Sequence, residues 1–401
     1  MNLKAKREKK LGEIIDFAYK NSPAFKKRLE NVGLTPSDIK TIKDLQKIPV
    51  IRKDDLVEIQ AQDPPFGGLL AVSPSSLKRI FQSPGPIYDP QGEEKDYWNW
   101  EEPLKAAGFT ADDVVINTFS YHLSPAGIMF DEGLRSIGAT VVPTGVGNTE
   151  LQVRIINDIG VTGFIGTPSF LMTLIKKSQE LGTKFTIKKA FVTAEPFTPS
   201  QRQTFEEHGI KAFQGYGTAD VGAIAFECEY REGMHVIENI ILEIVDPSTG
   251  KALPPGEIGE VVVTLFNKTY PLIRFGTGDL SKLLLDKCKC GRETERIAGF
   301  MGRIGDAVKV RGMFVHPGQI QGVLKRYKIF TNFIAVVTRE AERDFLHLRV
   351  ETTNFEKAEN LRDEILKSLR DVLRVKVDRL EFVSANSLKS EKKIIDKREW
   401  K

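Results

Sequence analysis

Cys288-Lys-Cys290-Gly sets two thiols one residue apart, and Cys228 precedes His235 by seven residues. Three thiolates and one imidazole are the ligand set of a closed tetrahedral zinc site. The Cys288-x-Cys290 spacing equally suits a redox pair or a turn bearing two unbonded thiols. A second group of residues flanks these cysteines. Tyr270-Pro-Leu-Ile-Arg-Phe-Gly-Thr-Gly-Asp279 and Gly302-Arg-Ile-Gly-Asp-Ala-Val-Lys-Val-Arg-Gly312 are polar and punctuated by glycine. A stretch of that kind between two domains is where a ligand is held and a hinge turns. A third group recurs at intervals between 119 and 218: Phe119 with Ser120-Tyr121-His122, then Thr144-Gly-Val-Gly-Asn148, Gly166-Thr-Pro168, Ala194-Glu195-Pro196 and Gln214-Gly215-Tyr216-Gly217-Thr218.

The elements that must position these residues follow from hydrophobic periodicity. Residues 7–32 carry apolar positions at helical spacing, broken at Asn21-Ser22-Pro23. Residues 62–96 are dense in Pro, Gly and Ser and read as long loops. From 114 to 213, apolar strands (114–119, 139–143, 161–165, 187–193, 210–213) alternate with amphipathic helices (125–137, 150–159, 168–181, 199–208). That alternation predicts an α/β body with a parallel, helix-covered sheet and right-handed crossovers. In such sheets ligands gather at the carboxyl ends of the strands. The third group of residues leaves those ends, so a ligand cleft is expected there.

Residues 236–285 read instead as short strands (240–245, 259–265, 280–285) separated by turns. Beyond Gly312, a helix (317–326), two strands (333–338, 346–352), one charged helix (355–372) and a strand (377–383) make a small α+β domain. The basic run 386–398 reads as a solvated face. The expected organisation is thus a large N-terminal body over 1–303, containing a β-rich segment at 226–300 that carries the cysteines, and a small mobile C-terminal α+β lid over 304–401.

Composition excludes several classes. A chain of 401 residues can bury more than one core. Lys and Arg number 58 against 54 Asp and Glu, a near balance that gives no argument for nucleic acid. The basic start lacks the apolar core of a signal peptide, and no run of about 18 apolar residues is present to span a membrane. Three cysteines are not a disulfide framework, so a reducing, cytoplasmic compartment is expected.

With the pieces in this order, the chain resembles the phenylacetate-CoA ligases and, more broadly, the AMP-forming adenylating enzymes. The resemblance rests on Gly147-Asn-Thr-Glu-Leu-Gln152, Gly166-Thr-Pro-Ser169, Ala194-Glu195-Pro196, Tyr216-Gly217, Ile273-Arg-Phe-Gly-Thr-Gly-Asp279 and Gly302-Arg303 through Val310-Arg311-Gly312. It implies a two-step reaction on an aryl or other organic acid. A carboxylate attacks the α-phosphate of ATP, releasing pyrophosphate, and the thiol of CoA then displaces AMP from the acyl-adenylate. ATP, Mg²⁺ and CoA are the implied small-molecule partners, and a homodimer is implied as well.

The resemblance also assigns roles. Asp279 is the carboxylate for both ribose hydroxyls, and Arg303 is a second ribose contact. Ala194, Glu195, Pro196, Gly215, Tyr216, Gly217 and Thr218 form the nucleotide slot, with Tyr216 as the stacking face. Asp220 is the Mg²⁺-side carboxylate. Lys392, then Lys389, is the lysine for the α-phosphate. Phe119, Tyr121 and His122 line the acyl pocket, Arg311 and Gly312 lie on the CoA side, and Gly305 and Asp306 form the hinge. Some relatives also place Cys and His as at 228, 235, 288 and 290. Three departures stand out. The phosphate loop, Gln82-Ser-Pro-Gly-Pro-Ile-Tyr-Asp89, has no lysine and loses two backbone donors to proline. Thr-Glu after Tyr-Gly is here Ala219-Asp220, and the tail Ser390-Glu-Lys-Lys-Ile-Ile-Asp-Lys-Arg398 has no glycine before its lysine. They define the alternative: adenylation with a different acceptor, or a binder of nucleotide or acyl-adenylate.

Overall fold

The computed structural model describes residues 2–83, 87–311, 313–340, 343–373, 375–390 and 392–398. Two compact units make up the chain. The first comprises Met1–Glu257, Val261–Thr277 and Lys282–Gly299; the second comprises Ile258–Glu260, Gly278–Ser281 and Phe300–Lys401.

The first unit begins with α1 (Leu3–Asn21), which buries Leu11, Ile14, Ile15 and Ala18 on one face. It is capped by Asn2, whose side-chain oxygen accepts from the Ala5 N–H at 2.9 Å. The expected break falls at Ser22, which caps α2 (Pro23–Glu30) ahead of a proline at the first helical position. Strand β1 (Ile51–Arg52) runs directly into α3 (Lys53–Gln62). The stretch 62–96 is more ordered than its composition predicts, because β2 (Arg79–Ser83) and β3 (Ile87–Gln91) pair as an antiparallel ribbon. Pro90 is tolerated there because the two strands pair only with each other and leave open edges. Pro84, Gly85 and Pro86, at the tip of the expected phosphate loop, lie outside the described residues.

After α4 (Glu101–Ala106) come β4 (Val114–Asn117), α5 (Ala126–Ile137), β5 (Thr140–Pro143), α6 (Thr149–Ile159), β6 (Gly163–Gly166), α7 (Pro168–Leu181), β7 (Lys189–Val192), α8 (Pro199–Glu207) and β8 (Lys211–Thr218). The five strands are parallel, in the order β8-β7-β6-β4-β5. One apolar cluster packs Trp98, Trp100, Phe130 and Phe191, and another packs Val153, Phe164, Leu171 and Phe205. Strand β9 (Gly222–Glu227) turns back antiparallel to β8, and β10 (Met234–Val236) pairs with it.

Beyond these lie β11 (Ile240–Val245), β12 (Gly259–Leu265), β13 (Phe275–Ser281) and β14 (Arg296–Ile297). Strand β14 closes the eight-stranded sheet beside β10, while β1-β13-β12-β11 form a second sheet. The strand expected at 280–285 starts five residues earlier, at Phe275. Its Gly-Thr-Gly-Asp sequence reads as a turn, but the segment is almost wholly buried, and a buried backbone must ladder.

The second unit contains the hairpin β15 (Val308–Val310) and β16 (Met313–Val315), then α9 (Pro317–Leu324). Its main sheet has the order β19-β18-β17-β20, from β17 (Phe330–Glu340), β18 (Arg343–Thr352), β19 (Arg379–Ser384) and β20 (Ile394–Asp396). The helix expected at 355–372 is two helices, α10 (Phe355–Asn360) and α11 (Arg362–Leu373). The short polar Asn360 ends the first, and the Leu361 N–H is shared between the Lys357 and Ala358 carbonyls. The tail is solvated only in part: Lys389, Lys392 and Lys397 are exposed, but β20 pairs in parallel with β17, and Arg398 donates to both Asp344 and Asp396.

Candidate functional site

The cysteines and His235 converge in the first unit. Cys228 follows β9, His235 lies on β10, and Cys288 and Cys290 sit in the loop between β13 and β14. Their ligand atoms all lie within 4.8 Å of one another. Cys228 Sγ and Cys288 Sγ are 3.6 Å apart, and Cys290 Sγ is 3.2 Å from His235 Nε2. A tetrahedron with zinc–sulfur bonds near 2.3 Å has edges of about 3.8 Å, so the spacing fits. His235 Nδ1 lies 3.2 Å from Thr294 Oγ1, which turns Nε2 toward the thiols. Burial, with Arg292 and Arg296 nearby, lowers the His235 pKa to about 4 and keeps its imidazole neutral. Burial pushes the Cys228 thiol up to about 11, a cost that a bound cation would offset by stabilising its thiolate. All three cysteines are free of disulfides.

The carboxyl end of β8 carries the predicted nucleotide slot. Gly215 and Gly217 are required by packing: a Cβ at 215 would meet the Phe191 ring at 2.4 Å, and one at 217 would meet the Gly222 carbonyl oxygen at 2.3 Å. Tyr216 is buried, with its hydroxyl 3.4 Å from Thr277 Oγ1. The Gly215 carbonyl accepts from Thr193 Oγ1 at 2.8 Å, which joins the ends of β7 and β8. Ala194 follows with φ of 69°, and Glu195 accepts from the Ser169 N–H at 3.3 Å. Pro196 completes the same exposed loop.

Asp220 lies two residues past β8, with its side chain fully buried and Oδ2 2.7 Å from Lys53 Nζ. Neither Asp220 Oδ1 nor Thr218 Oγ1 has a hydrogen-bond partner among the described residues, and both are buried. One orphaned carboxylate oxygen and one orphaned hydroxyl oxygen are donors of the kind that fit a hard divalent cation such as Mg²⁺. Sequence reasoning missed Lys53. Its signal was slight, a lysine at the start of a helix just after the short strand β1 that pairs with Phe275 and Gly276.

In the second unit, Asp279 and Arg303 form an antiparallel bridge, and Arg303 Nε donates to Asp279 Oδ1 at 3.2 Å. Asp279 is buried while the Arg303 side chain is 60% exposed, so the guanidinium is reachable. Gly305 and Asp306 lie in a single 3₁₀ turn, Ile304–Asp306, where a Cβ at 305 would meet nothing within 4 Å. The backbone at 305 therefore has no need of glycine. Arg311 donates to Asp378 Oδ2 at 2.7 Å, and its own N–H is accepted by Asp344. Gly312 lies outside the described residues. Lys392 and Lys389 are exposed around Ser390, whose hydroxyl donates to the Lys392 carbonyl at 2.9 Å.

The pocket candidates leave β4 in the first unit. Phe119 stacks on Phe130 at 5.1 Å, half-buried. The Tyr121 hydroxyl donates to Asp131 Oδ2 at 3.0 Å and accepts from Asn117 Nδ2 at 2.8 Å, and His122 is exposed. Burial, followed by the Asp131 charge, raises the Tyr121 pKa and keeps the phenol protonated.

Residues 96–265 match the family model described as AMP-binding enzyme, and residues 312–398 match that of the AMP-binding enzyme C-terminal domain. A phenylacetate-coenzyme A ligase of Thermus thermophilus is 33% identical, over 88% of this chain and 82% of that protein. The Escherichia coli phenylacetate-coenzyme A ligase is 30% identical, over 87% and 82%. Among solved structures, an open conformation of 2-hydroxyisobutyryl-CoA ligase, in complex with 2-HIB-AMP and CoA, superposes with a TM-score of 0.84 at 26% identity. That superposition covers 97% of this chain and 90% of the other. The adenylate-type fold and a level of identity sustained over more than four-fifths of the relatives' length lead to one conclusion: the chain belongs to the phenylacetate-CoA ligase family of AMP-binding enzymes.

Proposed function

We propose that this protein is an AMP-forming carboxylate–CoA ligase that works through an acyl-adenylate on an aryl or other organic acid. The observation that carries the reading is the bridged Asp279–Arg303 pair, which presents a buried acceptor beside a reachable cation. An ionised carboxylate accepts only, so Asp279 can take both hydroxyls of a ribose. Tyr216 offers a ring face to adenine, and Asp220 with Thr218 would hold Mg²⁺, which neutralises polyphosphate charge when bound. Lys392, with Lys389 as second choice, meets the charge developing on the α-phosphate as a point cation. Attack on phosphorus is then mostly positioning and charge neutralisation. Phe119, Tyr121 and His122 are assigned to the acyl pocket, and Arg311 and Gly312 to the CoA side. Gly305 and Asp306 form the pivot between a body over 1–303 and a lid over 304–401.

Cys228, His235, Cys288 and Cys290 would hold a structural zinc that pins the 288–290 loop onto β10 and takes no part in the chemistry. A homodimer is proposed from the resemblance, and a cytoplasmic location from three cysteines gathered in one cluster without a disulfide. Among the described residues no helix is long and apolar enough to cross a membrane. The test is acid-dependent ATP–pyrophosphate exchange, followed by acyl-CoA formation, across a panel of aryl and short hydroxy acids. If no acid supports exchange or AMP release, the ligase reading fails.

A further inference from the structure

Resting on the ligase reading, we propose that Lys53 supplies the polyphosphate cation that the 82–89 hairpin lacks, and that Asp220 is its counterion in the nucleotide-free protein. Three observations converge on Lys53. Its ammonium lies 2.7 Å from Asp220 Oδ2, with the lysine side chain 19% exposed and the aspartate fully buried. Asp220 Oδ1 and Thr218 Oγ1 are buried without hydrogen-bond partners among the described residues, so each has acceptor capacity that a cation would satisfy. The helix bearing Lys53 is also fastened to the hairpin. Gln60 donates through Nε2 to the Tyr88 carbonyl at 2.9 Å and accepts the Tyr88 N–H at 2.8 Å. Lys53 and Gln60 are seven residues apart on α3 and share a face, so a rigid element ties the ammonium to the strand that leaves the hairpin tip.

The electrostatic logic is an exchange of partners. A polyphosphate carries more negative charge than one carboxylate and attracts the ammonium more strongly. As Lys53 turns to phosphate, both Asp220 oxygens become available to Mg²⁺, and Thr218 adds a hydroxyl. One residue thereby neutralises Asp220 in the resting protein and the phosphates in the loaded one. Lys53 sits at the first position of α3, ahead of Asp54 and Asp55 in the same turn.

Lys53→Met alone would strand a buried carboxylate, so the informative comparison is Asp220→Asn against Lys53→Met/Asp220→Asn. Both carry a neutral residue at 220 and differ only in the ammonium. Circular dichroism establishes that each is folded, and calorimetry measures the binding of inorganic pyrophosphate, of ATP and of AMP, each in EDTA and in Mg²⁺. Removing the ammonium should weaken pyrophosphate and ATP in EDTA by about 10- to 100-fold, the loss of one charge-assisted hydrogen bond, while AMP changes by less than about 3-fold. Equal pyrophosphate and ATP affinities in the two variants would overturn the proposal and leave Lys53 as a structural counterion. Equal losses for AMP would overturn it too, because the ammonium would then not act on the outer phosphates. The readout is independent of turnover. A wild-type protein that forms no acyl-CoA yet binds pyrophosphate through Lys53 would sink the ligase reading and keep this assignment.

Discussion

Asp279 and Arg303 are joined twice: by an antiparallel backbone bridge and by a 3.2 Å hydrogen bond from the guanidinium Nε to the buried carboxylate. The backbone bridge fixes the separation of the two chains, so the side-chain pair does not rely on two long rotamers finding each other. That arrangement predicts unequal effects. Asp279→Ala should weaken AMP binding by about 100-fold, because it removes a charged acceptor from two hydroxyl donors. Arg303→Met should cost less, about 10-fold, since an exposed guanidinium is solvated before it binds. Calorimetric titration with AMP checks both. Tight AMP binding retained by Asp279→Ala would remove the ribose assignment.

The cysteine centre predicts one equivalent of zinc in purified protein, measured by mass spectrometry of the metal. Cys290→Ser should lower that content and the melting temperature together, because in a closed structural site metal binding contributes to folding. Protein purified with well under one equivalent, and fully folded in chelator, would leave four free side chains in place of a metal centre.

The small unit holds a second close approach. Gly302 has φ of 128°, and a Cβ there would lie 1.9 Å from His316 Nε2. Gly302→Ala should therefore destabilise this unit by about 2–4 kcal/mol, from backbone strain and overpacking together. Adding His316→Ala should recover part of the loss. Hydrogen exchange of the α9 amides reports on this unit separately from the rest of the chain.

The same histidine predicts a pH dependence. His316 Nδ1 accepts the Gly318 N–H at 3.0 Å, so it must be unprotonated to cap α9. Burial lowers its pKa, and the charge of Asp306 opposes that only in part. With the folded value below the unfolded value near 6.5, the unfolded state binds more protons as pH falls through that range. The capped unit should thus lose stability below about pH 6.5. His316→Asn, which keeps a capping side chain, should flatten the loss. Parallel pH profiles for the two proteins in α9 exchange would rule the mechanism out.

What could be read in advance divides along physical lines. The βα alternation was legible because buried parallel strands are continuous apolar runs, as at Val114–Asn117 and Lys189–Val192. The convergence of Cys228, His235, Cys288 and Cys290 was legible because three thiols and an imidazole are rare in this sequence and share one chemistry. Strand β13 was misplaced because Gly276-Thr-Gly278 has turn composition, and only its neighbours in the sheet make it extended. The hairpin at 79–91 was hidden by its prolines, and the break at Leu361 by an unbroken apolar period. Lys53 was invisible for a different reason: a lysine on a helix is ordinarily solvated, and its partner Asp220 is far away in sequence.

Arg274 shows that the stretch leading to Asp279 has a structural role of its own. Its guanidinium is buried and pairs with both oxygens of Glu243, at 2.9 and 3.0 Å. It also donates to the Ile48 and Gly250 carbonyls, each at 2.7 Å. One side chain thus ties the lead-in and a turn to the strand that runs on to Asp279. Arg274→Met strands a buried carboxylate, and the expected loss is about 3–5 kcal/mol, read from chemical denaturation. Burial already raises the Glu243 pKa against the pull of Arg274. Without the arginine, Glu243 should take up a proton nearer neutrality, so the variant should fare worst at high pH. Replacing both residues, as Glu243→Leu/Arg274→Met, removes the stranded charge but leaves two carbonyls without their donor. The double variant should therefore recover only part of the loss. Full recovery would mean that Arg274 matters to the fold only as the counterion of Glu243, and that its bonds to Ile48 and Gly250 contribute nothing.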